Sequence, residues 1–181
     1  MSVVITEPGV YADIPEAVRR VPVGDRYAIV DAADYRRVAR LPWRLLHGHN
    51  GKLYAHVRLG ARTIYMHRWI AETPDGYETD HENGDGLDNR RANLRTATPS
   101  QNSGNTGKPR RPDGSAHTSR FKGVSWDKSR GRWQAKICQN GRHRNLGRYD
   151  DEIEAARAYD AAATMAYGEF ARLNFPLEAV A

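Results

Sequence analysis

Residues 77–102, YETDHENGDGLDNRRANLRTATPSQN, decide what the first half of this chain folds into. The stretch places His81 directly after Asp80 and continues with a segment crowded with Gly, Asn and Asp. An exposed turn needs only one or two residues of these types. Downstream, Asn93 stands 12 residues and Asn102 stands 21 residues after His81. This composition and spacing indicate a site built from side chains rather than a simple connection.

The residue types in this stretch suit the hydrolysis of a phosphate ester. A carboxylate oxygen of Asp80 and the side-chain carbonyl of Asn102 are ligands that a hard divalent cation prefers. Adjacent residues of a strand point to opposite sides, so His81 would face the phosphate from the other side and accept a proton from water. Thr98 and Pro99 suit the N-cap and first position of a helix, which would place Asn102 in its first turn. We therefore predict a one-metal phosphodiester hydrolase.

The longer string MHRWIAETPDGYETDHENGDGLDNRRANLRTATPSQN resembles the HNH, or His-Me finger, nucleases, in particular the homing endonucleases of phages and introns. The resemblance spans about residues 64–102. It implies a ββα-metal fold in which His81 is the general base and Asn93 holds the loop and orients that histidine. It also implies that Asp80 and Asn102 hold one divalent metal, Mg²⁺ or Mn²⁺.

Positive charge is concentrated in one region of the chain, whose net charge is +6. Residues 107–148 contain 12 Lys or Arg and 2 Asp or Glu, whereas residues 149–181 contain 2 and 7 and residues 1–106 contain 14 and 13. Such a block is typical of a protein that binds a polyanion. A solvated linker next to a solvated face would cluster charge in the same way, so charge alone leaves both interpretations open.

The segments before the linker predict a small α/β or mostly β unit. YAIV (27–30) and LYAHVRL (53–59) have strand character, and DAADYRRVARL (31–41) has helical spacing after an Asp cap. The Asn-Gly pair at 50–51 predicts a hairpin turn, and TIYM is followed by a short helix, HRWIAE. Residues 107–118 are rich in Gly, Ser, Pro and Thr and are interpreted as a flexible basic linker.

Beyond the linker, the pattern predicts a small sheet covered by one helix. FKGVSWD, RWQAKIC and HRNLGRY are strand candidates, with turns at SRGR and QNGR. DDEIEAARAYDAAATMAYG is the helix, which Asp150 or Asp151 caps and Gly168 ends. The strands are basic and the helix is acidic, so only the sheet can approach nucleic acid.

Residues 119–176 resemble a single APETALA-two/ethylene-response-factor DNA-binding domain, through FKGV, RWQAKI, LGRY, EAARAYDAAA and GEFARLNFP. The resemblance implies a three-stranded antiparallel sheet packed on one helix, with the sheet entering the major groove of DNA. Core packing is the alternative role for Trp133. The candidate DNA contacts are Lys122, Gly123, Trp126, Arg130, Arg132, Trp133, Lys136, Arg142, Arg144 and Arg148, with Lys108, Arg110 and Arg111 in the linker.

This unit departs from the plant members of that family at several positions. Plant members usually carry Arg where this chain has Ser125 or Cys138, Glu in place of Lys136, and Trp in place of Arg130. The plant target sequence therefore does not transfer to this chain, and contact with phosphate is the alternative to base reading.

We therefore predict an α+β protein with four segments. Residues 1–60 form an N-terminal α/β extension with added strands, and residues 61–106 form the ββα-metal nuclease motif. Residues 107–118 form the basic linker, and residues 119–177 form the three-stranded sheet packed on one helix.

The predicted function is a metal-dependent DNA endonuclease that the C-terminal unit directs to double-stranded DNA. One HNH site cuts one strand, so a monomer would nick, and a double-strand break would need a dimer or two events. The rival prediction is a non-catalytic, sequence-specific DNA-binding regulator with a vestigial nuclease domain. An RNA-binding or structural protein of a phage particle is a third class, which charge permits but the motif does not explain.

Composition narrows the cellular context. Cys138 is the single cysteine, so no intramolecular disulfide can form, which fits a reducing cytoplasm. No apolar run of about 18 residues predicts a membrane span, and the first residues lack the pattern of a signal peptide. We expect a protein of a phage or mobile element that acts in the cytoplasm of a bacterial host.

Overall fold

The computed structural model describes residues 17–48, 51–108 and 116–176. The elements of the first half are β1 (Val18–Val23), β2 (Arg26–Asp31), α1 (Ala32–Val38), β3 (Arg44–His47), β4 (Leu53–Leu59), β5 (Arg62–Tyr65), α2 (Met66–Ala71), β6 (Glu78–His81), a 3-10 turn (Arg91–Asn93), β7 (Leu94–Ala97) and α3 (Pro99–Asn105). Those of the second half are β8 (Val124–Asp127), β9 (Arg132–Gln139), β10 (Arg142–Tyr149), α4 (Glu152–Tyr167) and a 3-10 turn (Gly168–Phe170). Of the helices in these ranges, none has the length and apolar character needed to cross a bilayer.

The first half contains three small antiparallel sheets around one core. The sheets are β1–β2, β3–β4–β5 and β6–β7. The core is lined by Val21, Val23, Ala28, Val30, Val38, Trp43, Ala55, Val57, Met66 and Ile70. It therefore joins the predicted extension to the start of the predicted nuclease motif. The strands predicted from YAIV, LYAHVRL and TIYM and the two helices are confirmed, whereas Asn50 of the predicted Asn-Gly turn lies outside the described residues.

Two strands of this half were not predicted. β1 contains Pro22, and a proline removes the backbone donor that a central strand needs. β1 pairs only with β2 in a two-stranded sheet, so the missing donor at Pro22 is tolerated. β7 has four residues, and its sequence LRTA is too short for an alternating pattern to stand out.

The second half is a three-stranded antiparallel sheet, in the order β10–β9–β8, with α4 packed on one face. Four small residues of α4, two adjacent pairs, let the helix lie close to the sheet: Ala155, Ala156, Ala162 and Ala163. The side chain of Asp151 accepts a hydrogen bond from the Glu154 amide at 2.9 Å, and Gly168 follows the last helical residue. The predicted strands, helix and helix ends are confirmed, except that the first strand begins at Val124 rather than Phe121.

The two halves pack against each other. Ala97 at the end of β7 is fully buried in the same apolar cluster as Tyr167 and Phe170 from the C-terminal half. Gly104 of α3 lies against the Tyr167 ring, where an added Cβ would approach the ring carbon Cγ to 2.6 Å. The contact therefore requires glycine at this position.

Candidate active site and nucleic-acid interface

β6, β7 and α3 bring the predicted catalytic residues together. β6 pairs with β7 in a register that sets Asp80 opposite Arg95 and His81 opposite Leu94. A cleft of about 680 Å³ opens beside this hairpin, and Asp80, His81 and Asn102 all line it. Asn102 reaches the cleft because Thr98 begins α3 with a capping box, in which Thr98 and Gln101 each hydrogen-bond the other's backbone amide.

Asp80 is held from two sides. Its carboxylate is almost fully buried, with 3% of the residue exposed. Arg95 donates from Nε to Oδ2 at 2.8 Å, and its Nη2 also lies 2.8 Å from Oδ2. Asn105 of α3 donates from Nδ2 to Oδ1 at 2.9 Å and to Oδ2 at 3.0 Å. Because a carboxylate oxygen can accept more than one hydrogen bond, Oδ1 still has a lone pair with which it can bind a ligand in the cleft.

His81 is a buried imidazole with one defined polar partner. Its Nε2 lies 3.4 Å from the side-chain oxygen of Asn89, which is fully buried. An amide oxygen can only accept, so in this orientation of the Asn89 amide the Nε2 atom is the donor and Nδ1 keeps its lone pair. Burial lowers the pKa of His81 below its usual value, and the hydrogen bond to Asn89 opposes this only in part. The ring is therefore neutral near pH 7 and can accept a proton.

Asn93 organises the loop rather than the histidine. Its side chain accepts a hydrogen bond from the Asn83 amide at 3.0 Å and donates one to the Asp88 carbonyl oxygen at 2.7 Å. These bonds agree with the predicted loop-holding role of Asn93, whereas the amide in contact with the imidazole belongs to Asn89, so an orienting effect of Asn93 on His81 would act through the loop and stays a prediction. Asn89 was missed because the segment has several Asn and Asp residues and no spacing rule distinguishes them.

The N-terminal half supports this loop directly. Ile29 of β2 donates its amide hydrogen to the Leu87 carbonyl at 2.8 Å, and the Asn89 amide donates to the Ile29 carbonyl at 2.7 Å. Asp34 of α1 is buried and pairs with Arg91 at 2.7 Å. These contacts fix the backbone of Asn89, so β2 and α1 help to place the residue that holds His81.

The oxygen-rich donors in the cleft fit a hard divalent cation. Asp80 offers a carboxylate and Asn102 a side-chain carbonyl, whose amide nitrogen donates to Glu78 Oε2 at 2.5 Å. With that nitrogen facing Glu78, the carbonyl oxygen of Asn102 is available as a ligand. Within residues 17–48, 51–108 and 116–176, no group of three or more His, Cys, Asp or Glu could hold a metal ion. Two protein ligands with water and phosphate completing the shell are typical of Mg²⁺.

A second histidine lies in the same cleft. The His67 ring is 5.0 Å from the His81 ring and 5.7 Å from the Tyr54 ring, centroid to centroid. Burial lowers the pKa of His67 to about 3, so the ring is neutral at physiological pH. Within the described part of the chain, His67 Nδ1 is buried without a hydrogen-bond partner.

The C-terminal sheet has one face packed on α4 and one face exposed. Along β9, Ala135 and Ile137 pack toward α4, so the alternating residues Arg132 and Lys136 face away from the helix. Arg148 of β10 pairs with Gln134 and lies on the same outer face. Arg148 contacts Asp127 at 2.9 Å, and Arg132 contacts the exposed Asp150 at 2.9 Å. This outer face therefore carries two arginines that pair with carboxylates, together with the exposed Lys136.

Other predicted DNA contacts lie elsewhere. Trp126 pairs with Trp133 across β8 and β9, with ring centroids 5.0 Å apart, in register with the face that packs on α4. Trp133 packs on the core of this unit, which agrees with its alternative role, and the DNA contact of the partly exposed Trp126 stays a prediction. Arg142 and Arg144 are exposed, but their register also places them on the side of α4, and Arg130 is exposed in the turn before β9.

Three further predicted contacts have structural roles. Lys122 donates from Nζ to the Gly104 carbonyl oxygen at 2.5 Å, and burial lowers its pKa to about 8. Gly123 has φ of +76°, and an added Cβ would lie 2.0 Å from the Tyr159 ring, so the backbone needs glycine there. Lys108 donates from Nζ to the carbonyl oxygens of Ser119 and Phe121, both at 2.7 Å. Each of these three residues thus has a partner or a packing role within the protein, and its contact with DNA stays a prediction. Arg110 and Arg111 lie outside the described residues.

Comparisons with known proteins identify both halves. The HNH endonuclease family matches residues 65–103, and the AP2 domain family matches residues 119–169. Protein 3.8 of Escherichia phage T7 is 34% identical over 101 residues, which cover 56% of this chain and 78% of that protein. An uncharacterized HNH endonuclease of Acanthamoeba polyphaga mimivirus is 29% identical over 154 residues, which cover 82% of this chain and 74% of that protein.

A plant relative matches the C-terminal half. An AP2-like ethylene-responsive transcription factor of Arabidopsis thaliana is 40% identical over 88 residues, which cover 49% of this chain but 24% of that protein. The match thus spans about a quarter of the plant factor. Both halves of the sequence resemblance are confirmed, and the chain belongs to the HNH endonuclease family as a member in which an AP2 domain follows the HNH domain.

Proposed function

We propose that this protein is a metal-dependent endonuclease that hydrolyses a phosphodiester bond of double-stranded DNA. The observation that carries the proposal is the neutral, buried His81 beside Asp80 in a cleft that Asn102 also lines. His81 Nδ1 removes a proton from a water molecule, whose oxygen forms a new bond to phosphorus. The bond from phosphorus to the leaving oxygen breaks, and that oxygen takes up a proton from solvent.

Asp80 and Asn102 are the proposed ligands of one Mg²⁺ or Mn²⁺ in a ββα-metal site. When bound, the cation would stabilise negative charge on the leaving oxygen. Arg95 and Asn105 hold the Asp80 carboxylate in a single orientation. Asn89 fixes the tautomer of His81, and Asn93 holds the loop that carries Asn89.

The AP2 domain is the proposed targeting unit, with the outer face of β8–β10 as its DNA contact. Arg132, Lys136 and Arg148 lie on this face, with Arg130 in the adjoining turn. Each phosphate that such a cation neutralises contributes about −0.9 to the slope of log affinity against log salt. The linker arginines, Arg110 and Arg111, remain candidates for contact with the DNA backbone.

Nicking of supercoiled plasmid tests the catalytic half of the proposal. Wild-type protein with Mg²⁺ or Mn²⁺ should convert the plasmid to the open circle, and His81→Ala should lower the rate about 10²–10⁴-fold while keeping plasmid binding. Linear product that rises with the square of protein concentration would indicate a dimer. Equal nicking rates for the two proteins would show that His81 is not the general base. If wild-type protein does not nick in the presence of either metal, the non-catalytic regulator becomes the better explanation of this sequence.

A charge-matched pair tests the targeting half. Lys136→Gln removes a cation from the outer face, whereas Arg157→Gln removes one from the exposed side of α4. In fluorescence anisotropy with duplex DNA, only Lys136→Gln should weaken binding, and it should reduce the salt slope by about one unit. Equal losses for both variants would show that net charge, not this face, binds DNA.

A further inference from the structure

Arg95 contacts both the proposed metal ligand Asp80 and the C-terminal half of the protein, which contains the AP2 domain and is called the AP2 half below. It lies on β7 directly opposite Asp80, and two of its guanidinium nitrogens, Nε and Nη2, are each 2.8 Å from Asp80 Oδ2. The side chain is only 16% exposed. Sequence patterns did not single it out, because the pairing of β6 with β7 creates the contact.

The other side of the guanidinium is held by the C-terminal half. Its Nη1 donates to the Glu169 carbonyl oxygen at 3.0 Å, and its Cζ lies 4.2 Å from the centroid of the Phe170 ring. Both residues belong to the 3-10 turn that follows α4. Phe170 is 6% exposed, so the cation–π contact is largely shielded from water, where such contacts are strongest.

The shape of the arginine side chain lets it contact Asp80 and the 3-10 turn of Glu169 and Phe170 at the same time. The planar guanidinium directs two donors to one carboxylate oxygen and a third to a backbone carbonyl, while its face lies on an aromatic ring. A lysine could not make all of these contacts, because its ammonium is a point charge without a planar fork. Without Phe170 and Glu169, the long side chain would regain rotamers that do not reach Asp80.

We propose that Arg95 is a positioning residue for Asp80, and that the AP2 half holds Arg95 in place. The DNA-binding half would then complete the metal site as well as bind DNA. The inference rests on the proposed function, because it takes Asp80 as a metal ligand. A carboxylate that is hydrogen-bonded in the orientation its metal requires binds that metal more tightly than one free to rotate.

The rival explanation is that Arg95 only ties the two halves together. In that case, removing its aromatic partner would lower the stability of the protein but leave metal affinity unchanged. Metal affinity is therefore the quantity that separates the two roles, and it can be measured without any cleavage.

The chain offers a matched pair of variants for this measurement. Phe170→Leu removes the ring beneath Arg95 and keeps an apolar side chain. Phe121→Leu makes the same change at an equally buried phenylalanine of the AP2 half, in a different apolar cluster. Arg95→Lys keeps the charge of the positioning residue and removes its fork.

The experiment titrates Mn²⁺ into full-length protein and follows bound metal by electron paramagnetic resonance. Circular dichroism checks that each variant is folded. We expect Phe170→Leu to weaken Mn²⁺ binding about fivefold and Arg95→Lys to weaken it about tenfold. Phe121→Leu should bind Mn²⁺ as wild type does.

The outcomes separate failure of this inference from failure of the proposed function. Unchanged or tighter Mn²⁺ binding by folded Phe170→Leu overturns the positioning role, as does an equal loss in Phe121→Leu. If wild type binds Mn²⁺ and nicks plasmid in those cases, the proposed function still stands. If wild-type protein itself binds no Mn²⁺, both the proposed metal site and this inference are wrong.

Discussion

At the scale of single residues, two of the side chains that line the cleft are uncharged imidazoles. His67 and His81 both have pKa values lowered by burial, and His67 reaches about 3. Tyr54 and Tyr65 contact the His67 ring, and the positive charge of Arg68 lowers its pKa further. Two neutral imidazoles therefore line the same cleft as Asp80, whose carboxylate is itself in direct contact with the Arg95 guanidinium.

We predict that His67 makes the free energy of unfolding fall as the pH is lowered from about 6.5 to about 4.5. The folded pKa of about 3 lies below the ordinary value of 6.5, so in this window the unfolded chain binds one more proton at His67 than the folded chain. Stability is thus fully present above the unfolded pKa and is lost as the pH falls. The expected slope is about 1.4 kcal/mol per pH unit for this proton.

Urea unfolding across that pH range checks this prediction, with His67→Phe as the comparison. The variant should have a shallower pH dependence by about one proton, and His81 should account for part of what remains. The window stays above the ordinary pKa of aspartate, so Asp34 and Asp88 contribute little to it. Parallel curves for the two proteins would show that His67 takes up its proton in the folded state.

The same scale shows where sequence reasoning worked and where it failed. Asp80, His81 and Asn102 could be found because they are close in sequence and their spacing is distinctive, and the cleft unites all three. Asn89 and Arg95 could not be found in this way. Their roles depend on loop geometry and strand pairing, and neither leaves a local signal.

At the scale of elements, the alternation of β9 decides which residues of the AP2 half can meet DNA. The predicted sheet and helix are confirmed, but membership of a basic strand did not reveal which face a side chain occupies. Trp126 and Trp133 lie on the helix side by register, and Lys122 is turned toward α3. A match between strings of sequence cannot separate a residue that binds from one that shapes the binding element.

Gly123 illustrates the second kind of residue. We predict that Gly123→Ala weakens DNA binding by destabilising the AP2 half and not by removing a contact. At φ of +76°, its Cβ would lie 2.0 Å from Tyr159 and 2.8 Å from the Lys136 carbonyl oxygen. A left-handed conformation alone costs a non-glycine residue about 1 kcal/mol, and the clash adds to it.

Gly131→Ala is the matched control for this prediction. Gly131 has φ of +61°, and its Cβ would meet no atom within 4 Å. The fall in thermal midpoint, measured by differential scanning calorimetry, should be several times larger for Gly123→Ala than for Gly131→Ala. Similar midpoints with DNA binding lost only in Gly123→Ala would instead restore Gly123 as a direct contact.

At the scale of the whole molecule, the interface between the halves matters more than the segment that joins them. Gly104 accepts hydrogen bonds at its carbonyl from the Arg172 amide, at 3.2 Å, and from Lys122 Nζ, at 2.5 Å. Lys108 holds the start of the connection against the carbonyls of Ser119 and Phe121. Lys108, which precedes the connection, is thus held against residues that follow it.

We therefore predict that inserting Gly-Ser-Gly-Ser after Asp113 leaves the distance between the AP2 footprint and the cleavage position unchanged. The packed contact of α3 with α4, and not the length of the connection, sets this distance. Gly104→Leu should have the opposite effect, because its side chain would displace the Tyr167 ring and scatter the cleavage positions.

Footprinting and cleavage mapping on one long DNA measure both effects. Arg157→Gln, which changes neither the connection nor the interface, serves as a reference for ordinary variation. A cleavage position that moves by the length of the insertion would show that the two halves act as tethered, independent bodies.

The hydrogen bonds between β2 and the loop of Leu87 and Asn89 have a consequence for recombination between genes of this kind. The HNH endonuclease family match begins at residue 65, yet Ile29 and Asp34 lie outside it; Ile29 holds the backbone of Asn89, and Asp34 holds the guanidinium of Arg91. A recombination event that transferred residues 65–103 alone would carry His81 into a new host protein without the strand that shapes its loop. The segment that shapes the nuclease site is thus longer than the segment that the family match covers. Recombination that preserves the nuclease should therefore break the gene before the codons of β1.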